Sequence, residues 1–80
     1  EEGVELIIDK DGKYFFKNGE NSIEIENEKL EESVKELMKG RKEQTLIVSA
    51  DKDLRYETVI ETMGRLKNIG LEKLEINSIK

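Results

Sequence analysis

The sequence has no cysteine, histidine, proline or tryptophan, and only two tyrosines and two phenylalanines among 80 residues. Without cysteine or histidine, the chain has no disulfide framework, ordinary zinc site, thiol nucleophile or imidazole base. No apolar run approaches the roughly 18 residues that cross a bilayer, and no signal peptide is visible. These absences exclude most of the chemistry by which a small domain becomes an enzyme or a metalloprotein.

The charge of the chain is acidic, with 14 Lys and Arg against 19 Asp and Glu and a formal net charge of −5. A basic run is also missing, so the phosphate neutralisation that drives nucleic-acid binding is absent and no nucleic-acid partner is predicted. The apolar residues, 35% of the total, fall in periodic groups as in a folded chain. At this length we expect one domain with a small core, because a chain this short hides only about 60% of its unfolded surface.

The first third of the chain alternates as β-strands do. Residues 4–8 place alternate apolar side chains on one face, and the polar residues 9–12 form a turn that ends in a glycine. The aromatic segment 14–16 suits a returning strand. Asn18-Gly19 marks a second turn, and the isoleucines in 23–25 indicate a short third strand or an extended lead-in. The pattern predicts a hairpin or a small meander.

Two later segments have the period of a helix instead. The first helix is predicted over 28–39, with Asn27 as its N-cap and Gly40 in a left-handed C-cap. The second follows residue 55 and contains Gly64, which costs about 1 kcal/mol against alanine and indicates either close packing or simple tolerance. Its apolar stripe is predicted to be Tyr56, Val59, Ile60, Met63 and Leu66.

Two more strands complete the pattern. Residues 45–50 form a short, β-branched apolar run that is typical of a strand inside a sheet, and 74–76 alternate as a last strand. Because a helix joins them, we expect a parallel pair with a right-handed crossover. The sequence therefore predicts an α+β fold: a small mixed β-sheet of four to five strands with two helices packed on one face, in the order ββ(β)αβαβ.

Candidate reaction centres are few. An EF-hand register around Gly12 fails because positions that need carboxylates hold Ile7 and Asn18. Asp51 and Asp53 could clamp a divalent ion, but a polar loop leading into a helix explains them as well. The serines have no imidazole available as a base, none lies in a Gly-x-Ser-x-Gly turn, and there is no phosphate loop. We therefore predict no enzyme, no catalytic residue, no cofactor and no metal.

One stretch of sequence gives more specific information on function than the composition does. Residues 46–63 read LIVSADKDLRYETVIETM, which resembles the signature of the ExbD/TolR family of biopolymer transport proteins. That signature is a buried strand ending in Ala-Asp-Lys, an apolar-Pro-Tyr step, and a helix with paired aliphatic residues and a methionine. Residues 70–76 are similar to the family's closing glycine and strand, and the upstream hairpin also fits. Arg55 departs from the pattern, standing where the family usually has proline.

The resemblance implies that residues 1–80 are the periplasmic domain of a single-pass bacterial inner-membrane protein. The cytoplasmic segment and the transmembrane helix would be missing, and the membrane would be contacted only through that missing helix. Family members work as a homodimer beside an ExbB/TolQ-type proton channel subunit. Proton flow is thought to drive motion that passes to a TonB/TolA-type transducer, which powers uptake across the outer membrane or maintains the envelope.

The same resemblance suggests a contact surface, which lies where the signature is polar and should be exposed. Its residues are Asp51, Lys52, Asp53, Leu54, Arg55 and Tyr56. The alternative is that these residues merely set the turn from strand to helix. Two other functions stay open: a TolR-like domain that contacts peptidoglycan and the Tol proteins, and an unrelated small ligand-binding domain.

Overall fold

The computed structural model describes residues 4–41 and 45–79, which form five strands, a 3₁₀ turn and two α-helices. In chain order these are β1 (Val4–Ile8), β2 (Tyr14–Asn18), β3 (Asn21–Ile25), the 3₁₀ turn (Asn27–Lys29), α1 (Leu30–Leu37), β4 (Leu46–Asp51), α2 (Tyr56–Asn68) and β5 (Leu74–Ile79). This confirms the predicted α+β class and element order, with the optional third strand present.

The strands form one mixed sheet in the order β3-β2-β1-β4-β5. The first three strands are a meander, because β1 pairs antiparallel with β2 and β2 with β3. β4 lies parallel between β1 and β5, so the predicted parallel crossover through α2 is confirmed. Gly12 takes a φ of +82° in the first hairpin, a conformation that glycine adopts without steric penalty.

The core lies on one face of this sheet, under the two helices. Alternation along β1 buries Val4, Leu6 and Ile8 and leaves the residues between them half-buried on the opposite face. The helices add their own apolar side chains to this layer. The buried cluster is Val4, Leu6, Ile8, Tyr14, Phe16, Ile25, Leu30, Val34, Met38, Leu46, Val48 and Leu66. The helices thus cover one face of the sheet, as predicted.

The first helix differs from its prediction at its start. It begins with the 3₁₀ turn, and α1 itself runs only from Leu30 to Leu37. Glu26 takes the N-cap position of this turn, and Asn27 is its first residue rather than its cap. The guanidinium of Arg65 donates to the Asn27 backbone oxygen at 2.6 Å and to its side-chain oxygen at 3.3 Å. Asn27 is thus bound by a side chain 38 residues away in sequence, and the predicted role as helix cap is wrong.

The apolar stripe of the second helix is also partly wrong. Val59 and Leu66 are buried, but Tyr56 is 74% exposed and Ile60 47% exposed. Thr62 is buried between Val59 and Leu66 instead, with 1% of its surface accessible. Its hydroxyl makes two hydrogen bonds, to the Thr58 carbonyl and to the Tyr14 hydroxyl, each at 2.9 Å. Most buried polar side chains are hydrogen-bonded in this way, and hydrophobicity alone does not reveal them.

Gly64 lies on the exposed side of α2, where an added Cβ would meet no heavy atom within 4 Å. Tolerance, rather than close packing, therefore explains this glycine. We expect Gly64→Ala to raise the free energy of unfolding by about 0.5–1 kcal/mol, because alanine restricts the unfolded chain and favours the helix. Urea unfolding followed by circular dichroism measures this, and an unchanged or lower midpoint would contradict it.

Candidate functional site

The six residues predicted as a contact surface form one turn between β4 and α2. Asp51 is the last residue of β4, and it organises the turn with two acceptors. Its carboxylate Oδ1 accepts the backbone N–H of Asp53 at 2.9 Å, and its carbonyl accepts the N–H of Leu54 at 3.0 Å. This is the Asx arrangement by which aspartate favours turns over regular structure.

The second half of the turn directs the chain into the helix. Leu54 is half-buried and packs against the core, which anchors the turn. Arg55 has an extended backbone, with φ −68° and ψ 139°, and its carbonyl accepts the N–H of Thr58 at 3.0 Å. The polar sequence between a buried strand and an amphipathic helix thus folds into a tight, well-bonded corner.

The tip of this turn is open to solvent. Lys52, Asp53, Arg55 and Tyr56 are all exposed, and Tyr56 presents most of its ring. An ion pair of 3.2 Å joins Arg55 Nη2 to Glu57 Oε1, with side chains 81% and 79% exposed, and pairs this exposed contribute little to stability. The turn therefore offers an aromatic ring and charges of both signs to a partner.

In two turns, an aspartate carboxylate accepts hydrogen bonds from nearby backbone N–H groups. Asp9 repeats the pattern of Asp51, because its Oδ1 accepts the N–H groups of Asp11 and Lys13 at 2.9 and 2.8 Å. Within residues 4–41 and 45–79, no group of three or more acidic, cysteine or histidine side chains is arranged to hold a metal ion. The geometry of Asp51 and Asp53 is that of a polar loop at a helix start.

Sequence reasoning missed an ion pair that joins the two helices. Arg65 on α2 donates to both carboxylate oxygens of Glu31 on α1, from Nε at 2.7 Å and from Nη2 at 2.8 Å. This bidentate bond, helped by the Glu31 backbone N–H, lowers the pKa of Glu31 from 4.5 to about 2. The same bond raises the pKa of Arg65. The two residues lie 34 positions apart, so no local spacing rule predicts the pair.

Because of this ion pair, we expect the stability of the fold to depend on pH. The folded pKa of Glu31 is below its ordinary value, so the stabilisation is full above about pH 4.5 and fades as the pH falls towards about 2. We expect Glu31→Gln to melt below the parent chain at pH 7, with the difference closing between about pH 4.5 and pH 2. Thermal melts across this range test it.

The matched control for that series is Glu61→Gln, which changes an exposed carboxylate on α2. We expect it to differ little from the parent at any pH. A gap between Glu31→Gln and the parent that persists unchanged down to about pH 2 would show that the charge of Glu31 is not what stabilises the helix pair.

The outer edges of the sheet are β3 and β5, each paired with one described neighbour. On β5, Ile76 is 54% exposed although its register partner Val48 is fully buried. An edge strand presents unpaired backbone N–H and C=O groups to solvent. The edge of β5 therefore combines free backbone groups with an exposed apolar side chain.

These features describe a small α+β domain with two helices over one face of a five-stranded mixed sheet. The family model for the biopolymer transport protein ExbD/TolR matches residues 1–79, and the chain belongs to the ExbD/TolR family. None of the curated proteins compared with the chain matches it. Among the described helices, neither is long and apolar enough to cross a membrane.

Membership of this family gives the coarse function. Its members are biopolymer transport components of the bacterial envelope that work in complexes with other proteins. They are inner-membrane proteins with periplasmic domains. The resemblance seen in residues 46–63 is thus confirmed. The φ of Arg55, −68°, is also one that proline adopts, so arginine and the expected proline fit the same backbone there.

Proposed function

We propose that this chain is the periplasmic domain of an ExbD-like component, driven by the proton motive force. In this proposal it couples an ExbB-type proton channel to a TonB-type energy transducer for uptake across the outer membrane. The observation that carries the proposal is the family match over residues 1–79. The domain, taken as 1–80, would follow a single transmembrane helix in the longer protein, and it would transmit force without catalysing a reaction.

Two surfaces support binding of the transducer. The turn 51–56 is hydrogen-bonded at its base and exposed at its tip, and it lies within the stretch that carries the family resemblance. The sheet edges accept an extended peptide as an added strand, through backbone hydrogen bonds. The formal charge of −5 favours encounter with a basic partner segment.

We also propose that the domain works as a homodimer. The outer edge of β5, with the exposed side chain of Ile76, is the described surface best suited to pair with a second copy. Sedimentation of the 80-residue chain over a range of concentrations tests the dimer. Monomers at every concentration would confine dimerisation to other parts of the protein.

An amide-shift titration of the ¹⁵N-labelled chain tests the transducer contact. One arm adds the periplasmic segment of the cognate TonB-like protein, and the other adds soluble peptidoglycan fragments. We expect shifts near Asp51–Tyr56 or along a sheet edge with the peptide alone. Shifts with the glycan fragments alone would support the TolR-like role in envelope integrity, and silence in both arms would contradict recognition by this domain.

A matched pair of variants localises the contact. Lys52→Ala changes an exposed lysine in the turn, whereas Lys10→Ala changes an exposed lysine in the first hairpin. We expect Lys52→Ala and Tyr56→Ala to weaken binding of the TonB-like segment and Lys10→Ala to leave it unchanged. Equal binding by all three variants would assign residues 51–56 to the structural role of a strand-to-helix turn.

A further inference from the structure

The sheet has a second face that no described helix covers, and its composition is unusual. Strand registers place Ile7 opposite Phe15 and beside Ser49, with Ile47 one step away on β4. Ile7, Phe15 and Ile47 are only half-buried. We call the surface built on the outward residues of these strands the open face. Its centre is a patch of three apolar side chains that spans β2, β1 and β4.

The open face is acidic, with Glu24 and Glu75 at its rim on the outer strands and Glu5 on the central strand β1. The registers place Glu24 beside Phe15, and both Glu5 and Glu75 beside Ile47. The one lysine of the face, Lys17, pairs with Glu5. Asp51, at the end of β4, adds a fourth carboxylate on the same side by alternation. Four carboxylates against one ammonium therefore surround the apolar patch.

The helix-covered side of the molecule is different in charge. One cleft there, about 860 Å³ in volume, lies between the end of α1 and the segment before β5. Its charged lining is balanced, consisting of Glu32, Glu36 and Glu72 with Lys35, Lys39 and Lys73. The charged lining of this cleft is thus neutral overall, whereas the strand residues of the open face carry an acidic surplus.

One carboxylate of the open face is held in position. The Ser49 hydroxyl donates to Glu5 Oε2, and Ser49 itself is only 1% exposed. This hydrogen bond fixes Glu5 over the middle of the sheet, between the apolar patch and Lys17. A cation that reaches this carboxylate finds it already ordered, which lowers the entropic cost of pairing.

We propose that the open face docks a basic amphipathic helix, whose apolar stripe covers Ile7, Phe15 and Ile47. Its lysine or arginine side chains would pair with Glu5, Glu24 and Glu75. Three adjacent strands span about 10 Å, which is the diameter of one α-helix. A helix is the element that covers a sheet face, whereas an added strand binds at an edge. This surface is the outward face of the sheet, whereas the proposed transducer contacts are the tip of the turn and the backbone groups of the edges, so the inference goes beyond the proposed function.

The probe for this surface is a designed helical peptide of about 18 residues, with leucines at i, i+3, i+4 and i+7 and lysines flanking that stripe. A second peptide has glutamate in place of every lysine. We expect the lysine peptide to shift amides of β1, β2 and β4, including those of Ile7, Lys17 and Ser49. The glutamate peptide should leave them unmoved. Raising the salt from about 0.05 to 0.3 M should weaken the binding, because rim charges are screened.

Matched charge reversals separate this site from general attraction. The double variant Glu24→Lys/Glu75→Lys alters exposed residues of the open face, and Glu36→Lys/Glu72→Lys alters exposed residues of the helix side. Both change the net charge equally. We expect the first variant to weaken the lysine peptide about tenfold or more and the second by about twofold or less, since only the first removes complementary rim charges.

Three results would overturn the proposal. Equal weakening by the two double variants would show attraction to the whole molecule. Shifts confined to residues 51–56 or to the edge of β5 would place the peptide elsewhere. The third result combines two measurements. If the chain does not bind the peptide but self-associates in sedimentation, and Phe15→Ser abolishes that self-association, then a second copy of the chain covers the open face.

Discussion

Replacing Phe16 by alanine is expected to lower the free energy of unfolding by about 3–5 kcal/mol, which is the usual range for a buried aromatic side chain. Phe16 is 2% exposed and belongs to the cluster between the sheet and the helices. A chain of this length has a total stability of roughly 4–12 kcal/mol, at about 0.05–0.15 kcal/mol per residue. The variant should therefore lose about a quarter or more of the total stability and unfold at a clearly lower urea concentration than the parent.

The matched control is the neighbouring residue on the same strand. Phe15 points to the open face and is half-buried, so Phe15→Ala removes the same atoms from a site that already contacts water. We expect a loss of about 1–2 kcal/mol for Phe15→Ala, clearly below that for Phe16→Ala. Urea unfolding followed by circular dichroism gives both values. A larger loss from Phe15 would mean that β2 is shifted by one residue, because such a slip exchanges the two faces.

This comparison also shows why most of the fold was predictable from the sequence. In β1, the residues at 4, 6 and 8 alternate with polar or half-buried neighbours, and the period of two fixes which face is buried. The continuous apolar run of β4 indicated a strand with neighbours on both sides, and it lies between β1 and β5. Hydrophobic periodicity is local, and it is the strongest structural signal in a single sequence.

The errors occur where a distant polar partner decides the outcome. Asn27 looked like a helix cap, but Arg65 binds its oxygens. Ile60 looked like a core residue of α2, yet it is half exposed while Thr62 is buried. In each case the partner lies 38 or 48 residues away in sequence, and no propensity scale contains that contact.

The candidate site was predictable in position but not in detail. The polar segment after a buried strand indicated the turn, and the structure brings residues 51–56 together there. That Leu54 anchors this turn in the core, while Tyr56 presents its ring to solvent, depends on packing around the start of α2. The acidic open face was equally hidden, because the strand registers assemble it from five separate strands.

The buried hydroxyl pair of Tyr14 and Thr62 gives the second large expected effect. Thr62 uses its single proton to donate to the Thr58 carbonyl, so the Tyr14 hydroxyl must be the donor in the 2.9 Å bond between the two side chains. Tyr14 also interacts with the Arg65 side chain, but a guanidinium has no acceptor for the tyrosine proton. Thr62 is therefore the acceptor that the Tyr14 hydroxyl depends on.

The direction of this bond predicts an asymmetry between two nearly isosteric substitutions. Thr62→Val leaves the buried tyrosine hydroxyl without an acceptor and should lower the free energy of unfolding by about 1–3 kcal/mol. Tyr14→Phe removes the donor but leaves the threonine bonded to Thr58, and should lower it by about 0.5–1.5 kcal/mol. Adding Tyr14→Phe to Thr62→Val should restore stability relative to Thr62→Val alone, because no buried hydroxyl is then left without a partner.

Urea unfolding of the parent chain, the two single variants and the double variant completes this cycle. The expected order of stability places Thr62→Val lowest, with a coupling energy of about 0.5–3 kcal/mol between the two changes. Strict additivity would show that the two hydroxyl groups do not stabilise each other. A Tyr14→Phe chain less stable than Thr62→Val would reverse the assigned donor. The tyrosine hydroxyl would then accept a hydrogen bond from the Thr62 hydroxyl, and Thr62 would no longer donate to the Thr58 carbonyl.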